Sequence, residues 1–197
     1  MSTDGSRNPA RSLDELSPQS SNGWVFFALL LVVAAGGYLF AQLFQMQDDD
    51  DRHIPFPGPS QIGVSAPPIR AQGWFNGEPP TQAEMQGKII LIDAWAYWCG
   101  PCRRKAPRLI RLYEEFAPQG VVFLGLTSEG EDSLDRSREF IEELRIPWRQ
   151  GYGAVETLSG LKADFIPQVW VIDQNGTIAW DQTAAEDVDV TLRRLLK

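Results

Sequence analysis

The chain has only two cysteines, and both fall in the run Trp98-Cys99-Gly100-Pro101-Cys102. Two thiols three residues apart can close a small disulfide ring, which points to thiol–disulfide exchange. The residues that follow put the pair at a helix start, because Leu109, Leu112, Tyr113 and Phe116 recur with helical period. Pro101 costs nothing there, since first-turn N–H groups have no intrahelical partner. Those N–H groups and the positive end of the helix dipole favour a thiolate on Cys99. Cys99 is therefore the expected nucleophile, and Cys102, one turn deeper, the resolving thiol. Other uses of the pair fit poorly. A zinc site needs about four ligands, and the sole histidine, His53, lies far away in sequence, so no metal is expected. Haem attachment needs a histidine after the second cysteine, where Arg103 stands. A structural disulfide remains the alternative. The redox group is the cysteine pair itself, and no other cofactor is expected.

The elements that must position this pair are legible on either side of it. Lys88 to Trp95 is a nearly continuous apolar run bounded by Gly87, the pattern of a central strand buried on both faces, and Asp93 interrupts it. The helix after the cysteines should end near Pro118-Gln119-Gly120. Val121–Leu126 reads as a second buried strand, and Ser133–Arg145 as a helix with Leu134, Ile141 and Leu144 inward. Gln168–Asp173 and Thr177–Trp180 flank Asn175-Gly176, a hairpin signal. A closing helix shares Val188, Leu192, Leu195 and Leu196 on one face, and one or two short strands are expected near Ile69–Phe75. The order β-α-β-α followed by β-β-α predicts an α/β domain, a mixed central sheet with helices on both faces.

Upstream, residues 1–23 read as a disordered polar tail. Residues 24–44 are uncharged and mostly apolar, long enough as a helix to cross a bilayer core of about 30 Å, so a transmembrane signal anchor is expected. No cysteine follows for a lipid anchor, and Leu39–Phe44 makes a poor cleavage site. Gly37 and Ala41 form a small-residue pair that could let two such helices touch. Arg7 and Arg11 before the span, against the acidic run Asp48–Asp51 after it, favour the N-terminus inside, with the main domain extracytoplasmic, on the periplasmic side. Residues 45–68 are acidic and then rich in Pro and Gly, a spacer, leaving residues 69–197 as the globular domain. His53 in the spacer reads as solvated. A net charge of -8 argues against nucleic acid as a partner.

On the motif Ala96-Tyr97-Trp98-Cys99-Gly100-Pro101-Cys102 after a buried strand, the chain resembles the thioredoxin superfamily, and more closely its TlpA/ResA-like membrane-anchored branch. Pro107, five residues past Cys102, resembles the family's helix-kinking proline, and Phe165-Ile166-Pro167 its cis-proline loop. The resemblance covers about residues 66–197. It implies a thioredoxin fold and protein thiol or disulfide substrates. It also implies a buried Asp93 that relays a proton to Cys102, and a substrate surface of Trp98, Gly100, Pro101, Ile166 and Pro167, where an extended chain can pair beside Cys99. Trp95 and Trp170 could join that surface or belong to the core. Arg103, Arg104 and Lys105 read as a solvated helix face.

The Gly100-Pro101 dipeptide, with no histidine between the cysteines, leans toward a reductase. In an oxidising compartment such a protein needs a membrane electron donor of DsbD or CcdA type, with apocytochrome c thiols among the candidate substrates. The alternatives are a disulfide oxidase, a tethered binding or chaperone module with incidental cysteines, and a thiol peroxidase. The peroxidase lacks its Thr-x-x-Cys nucleophile in this sequence.

Overall fold

The computed structural model describes residues 27–38 and 59–197. The expected tail over 1–23, both ends of the 24–44 span, and residues 45–58 with His53 lie outside the described residues. Residues 27–38 form a helix, α1, whose side chains are exposed all round, Phe27, Leu29, Leu30, Leu31, Val32 and Val33 among them. Its described length is about 18 Å at ~1.5 Å per residue. No helix among the described residues is long and apolar enough to cross a membrane.

The folded domain is built on a six-stranded sheet in the order β1 (Gly73–Phe75), β4 (Arg149–Tyr152), β3 (Val122–Leu126), β2 (Ile90–Ala94), β5 (Gln168–Ile172), β6 (Ile178–Asp181). Its centre is β2, every residue of which is buried, parallel to β3 and antiparallel to β5. Helix α3 (Gly100–Phe116) is the crossover between β2 and β3 and buries Leu109, Leu112 and Phe116, as their period requires. Strand side chains alternate between two cores. Ile89, Leu91 and Trp95 join α3 and α4 (Leu134–Glu143) on one face, while Ile90, Ile92 and Ala94 pack with Leu158, Leu161 and Trp170 on the other. The expected hairpin is present, with β6 (Ile178–Asp181) antiparallel to β5 and Gly176 at φ +79° in the turn. The chain closes with α6 (Val188–Leu195), burying Val188 and Leu192.

Several features depart from the sequence reading. Helix α4 is shorter than Ser133–Arg145, and its buried face is Ser137, Phe140 and Ile141, with Leu134 and Leu144 only half-buried. The strand expected near Ile69–Phe75 is β1 (Gly73–Phe75), and it pairs with a strand not foreseen, β4 (Arg149–Tyr152), which also runs parallel to β3. Two short helices, α2 (Gln82–Met85) and α5 (Val155–Gly160), were likewise not foreseen. Residues 59–66, read as spacer, bond to the domain. Gly63 N donates to Ile178 O (2.8 Å), Ile178 N to Val64 O (2.9 Å) and Ala66 N to Gly176 O (2.9 Å), along the outer edge of β6. The buried Asp181 carboxylate draws the segment in, accepting from Gln61 N at 2.6 Å and Ser60 Oγ at 3.3 Å.

Candidate active site

Cys99 sits at the N-cap of α3 and is joined to Cys102 by a disulfide, with Cα atoms 5.3 Å apart. Its Sγ accepts a hydrogen bond from Cys102 N at 3.1 Å, so the sulfur occupies the place where a capping oxygen would meet the first-turn donors. No acidic residue stands in that turn to oppose a thiolate. Both cysteines are buried, at 3% and 5% exposure, while Trp98 beside them is 62% exposed. Trp98 therefore belongs to the surface around the pair. Trp95 and Trp170 do not: both are core residues, on opposite faces of the sheet.

Beneath the disulfide lies a small cavity of about 10 Å³, near the size one water molecule requires. Asp93, Cys102, Lys105, Trp148 and Pro167 are among its lining residues. Asp93 is 6% exposed, and burial pushes its carboxyl up from the ordinary 3.8 to about 7. A hydrogen bond from Trp148 Nε1 to Oδ1 (3.1 Å) and the nearby Lys105 ammonium oppose that shift without cancelling it. Loss of hydration is the larger effect because β2 is covered on both sides. Lys105, expected on a solvated face, is half-buried and lines this cavity. Arg104 remains exposed, and Arg103 is ion-paired to Glu143 at 2.6 Å and lies over the Phe140 ring.

The loop before β5 closes the site from the other side. The Ile166–Pro167 peptide is cis, and Gln182 Nε2 donates to Pro167 O at 3.0 Å. The pairing of β5 with β2 ends at Gln168–Ala94, so Ile166 and Pro167 lie just beyond the ladder. Pro107 is inside α3, and Gly100 and Pro101 form its first turn. The structure thereby brings together the residues expected to form the site: Cys99 at the N-cap of α3 with Gly100, Pro101 and Cys102 in its first turn, Asp93 on β2, Trp98 at the rim, Ile166 and Pro167 opposite.

Three contributors escaped the sequence reading. Trp148 lies before β4 and reaches Asp93 across the sheet, Lys105 turns inward from α3, and Glu129 Oε1 accepts from Trp98 Nε1 at 2.9 Å, steadying the exposed indole. Only Lys105 carried a usable signal, since it falls one turn after Cys102 on the same helix.

The chain matches the AhpC/TSA family over residues 62–181. It is 31% identical over 157 residues to the thiol:disulfide interchange protein HelX of Rhodobacter capsulatus, covering 78% of this chain and 83% of that one. It is 23% identical to the thiol-disulfide oxidoreductase ResA of Oceanobacillus iheyensis, covering 80% and 79% respectively. Among solved structures, the thioredoxin domain of a thiol-disulfide oxidoreductase from Bacteroides vulgatus superposes with a TM-score of 0.60 at 21% identity, over 71% of this chain and 100% of that one. With its Cys99–Cys102 disulfide at a helix start on a thioredoxin fold, the chain belongs to the AhpC/TSA family as a thiol:disulfide oxidoreductase of the TlpA/ResA-like type.

Proposed function

We propose that the protein works as a reductase of extracytoplasmic protein disulfides, held at the membrane by residues 24–44. The carrying observation is the buried Asp93 carboxyl sharing a cavity with Cys102. In the reduced enzyme the Cys99 thiolate attacks a substrate disulfide, forming a mixed disulfide and expelling one substrate thiolate. Asp93 takes the Cys102 proton, directly or through one water, and the Cys102 thiolate then attacks Cys99 Sγ. The second substrate sulfur leaves as a thiolate, to which Asp93 can return the proton, and the Cys99–Cys102 disulfide remains. Two electrons have passed to the substrate. An acid titrating near 7 suits both halves of that transfer.

Substrate would enter as an extended segment against Ile166 and Pro167, with Trp98, Gly100 and Pro101 as the facing surface. Gly100-Pro101 leaves the thiolate without the histidine that strong oxidants place there, which favours a reducing couple. A protein of that kind on the outer face needs re-reduction, so a DsbD- or CcdA-type donor fits, as does an apocytochrome c disulfide that must be reduced to thiols before haem is attached. The family resemblance supports this reading, as does the name of the HelX relative, a thiol:disulfide interchange protein.

Equilibrating the full chain with glutathione buffers and scoring the Cys99–Cys102 state tests the direction. A potential near about -270 mV is expected, and one near about -120 mV defeats the reductase reading. For topology, the all-round apolar surface of α1 and the Arg7/Arg11 bias support the anchor. An alkaline phosphatase fused to the C-terminus should be active, and an inactive fusion with an active cytoplasmic reporter would reverse the orientation.

A further inference from the structure

The row of residues across the sheet at Asp93 is unusual in what it lacks. Asp93 on β2 pairs with Gly125 on β3, and Gly125 pairs with Gln150 on β4. Neighbouring strands are about 4.8 Å apart, so side chains of this row on one face are neighbours. Gln150 is fully buried, and its carboxamide lies directly over Gly125, in the space a Cβ there would need. The amide has thus crossed β3 from β4 toward Asp93, which only a glycine at 125 permits. Its nitrogen is satisfied, since Nε2 donates to Trp148 O at 3.2 Å. Its oxygen is not: Oε1 is buried and accepts from no donor. Buried acceptors without a donor are few in native proteins, and each asks for an explanation.

The surrounding groups narrow the choice of donor. Asn76 Nδ2 donates to Ile146 O (2.8 Å) and Trp148 O (3.1 Å), fixing the segment from which Trp148 Nε1 reaches Asp93 Oδ1. Around Asp93, β3 supplies Gly125, β5 supplies Val169, and α4 supplies Phe140. Lys105 and Cys102, both on α3, are the titratable groups, and Tyr113 packs on the Trp148 ring. The carboxyl is the one group in the row whose hydrogen comes and goes during turnover.

We propose that Gln150 is a positioning residue for the proton-transfer step, its Oε1 accepting the hydrogen of protonated Asp93 while Trp148 Nε1 holds the other carboxyl oxygen. The carboxyl is then clamped from two sides in the orientation from which it serves Cys102, and Gly125 is bare because the amide must pass over it. This rests on the reading of Asp93 as the acid–base partner of Cys102.

Two measurements on the full chain, purified in mild detergent, test it. The first is the pH dependence of Cys102-dependent release of a mixed disulfide on Cys99. Asp93→Asn should abolish the limb due to Asp93. If that variant keeps the limb, the acid–base reading itself fails. Given that it is lost, Gln150→Met, which keeps the volume but removes the acceptor, disfavours the neutral acid and should move the limb down by about one pH unit. An unmoved limb in Gln150→Met overturns the role of Gln150 alone. The second needs no substitution at Gln150. With carbon-13 in glutamine side chains, the Gln150 carbonyl signal should titrate with the midpoint of Asp93 and lose that titration in Asp93→Asn. A signal flat from pH 5 to pH 9 while Asp93 titrates overturns the proposal.

Discussion

Asp93 is neutral in the folded protein over a pH range where the unfolded chain carries it charged. Its carboxyl lies at about 7 in the fold against the ordinary 3.8, so between those values the folded state binds more protons than the unfolded one. Stability must then fall as pH rises through that window and level off above it. The stabilising contribution is whole below about pH 4 and gone above about pH 7, with a span on the order of 4 kcal/mol at most. Asp93→Asn should flatten that slope and be more stable than the parent at pH 8. Denaturant titrations at pH 5 and pH 8 check it, and a variant with an unchanged slope would show that Asp93 is charged in the fold. The residues that make this environment were unevenly legible. Cys99 and Cys102 stand out by their spacing and Asp93 because it interrupts an apolar run, whereas Pro167 is legible only through the family resemblance. Trp148 and Gln150 are not legible, because their roles arise from contacts across strands far apart in the chain.

At the scale of elements, the parts read correctly are those whose side chains repeat a period. Strands β2, β3 and β5 are apolar runs, and α3 carries an apolar stripe. Strand β4 is Arg-Gln-Gly-Tyr, which has neither alternation nor an apolar run. It is a strand because tertiary contacts make it one. A Cβ on Gly151 would press on Ala71 and Leu126, and Gln150 fits over Gly125, so close backbone approach replaces side-chain packing. Propensity says little about such a strand. Helix α5 failed to register for a related reason. Its six residues are too few for a period to show, and its buried Thr157 is held by Pro68 O and Arg70 O, groups that no local pattern reveals.

For the molecule as a whole, the sequence reading starts the globular domain at residue 69, whereas residues 60–66 are already hydrogen-bonded to it. Proline and glycine in residues 59–68 suggest a free spacer, yet the family match begins at residue 62 and the hydrogen bonds to β6 begin with residue 60. That attachment covers an edge of the sheet that would otherwise be open. Strand β6 ends the sheet order, and an uncovered terminal strand offers its N–H and C=O groups to any other chain that can run alongside. Residues 63–66 already occupy that edge, with Ser65 bridged to Thr177. A soluble fragment started at Ile69, the boundary composition suggests, would unmask the edge and strip Asp181 of two of its partners. Such a fragment should form oligomers or precipitate at concentrations where one started at Pro59 stays monomeric by sedimentation. Equal behaviour of the two would mean that the covered edge protects nothing. The segment that leads into the domain is, on this view, also a guard that keeps the open end of the sheet from zipping onto another copy.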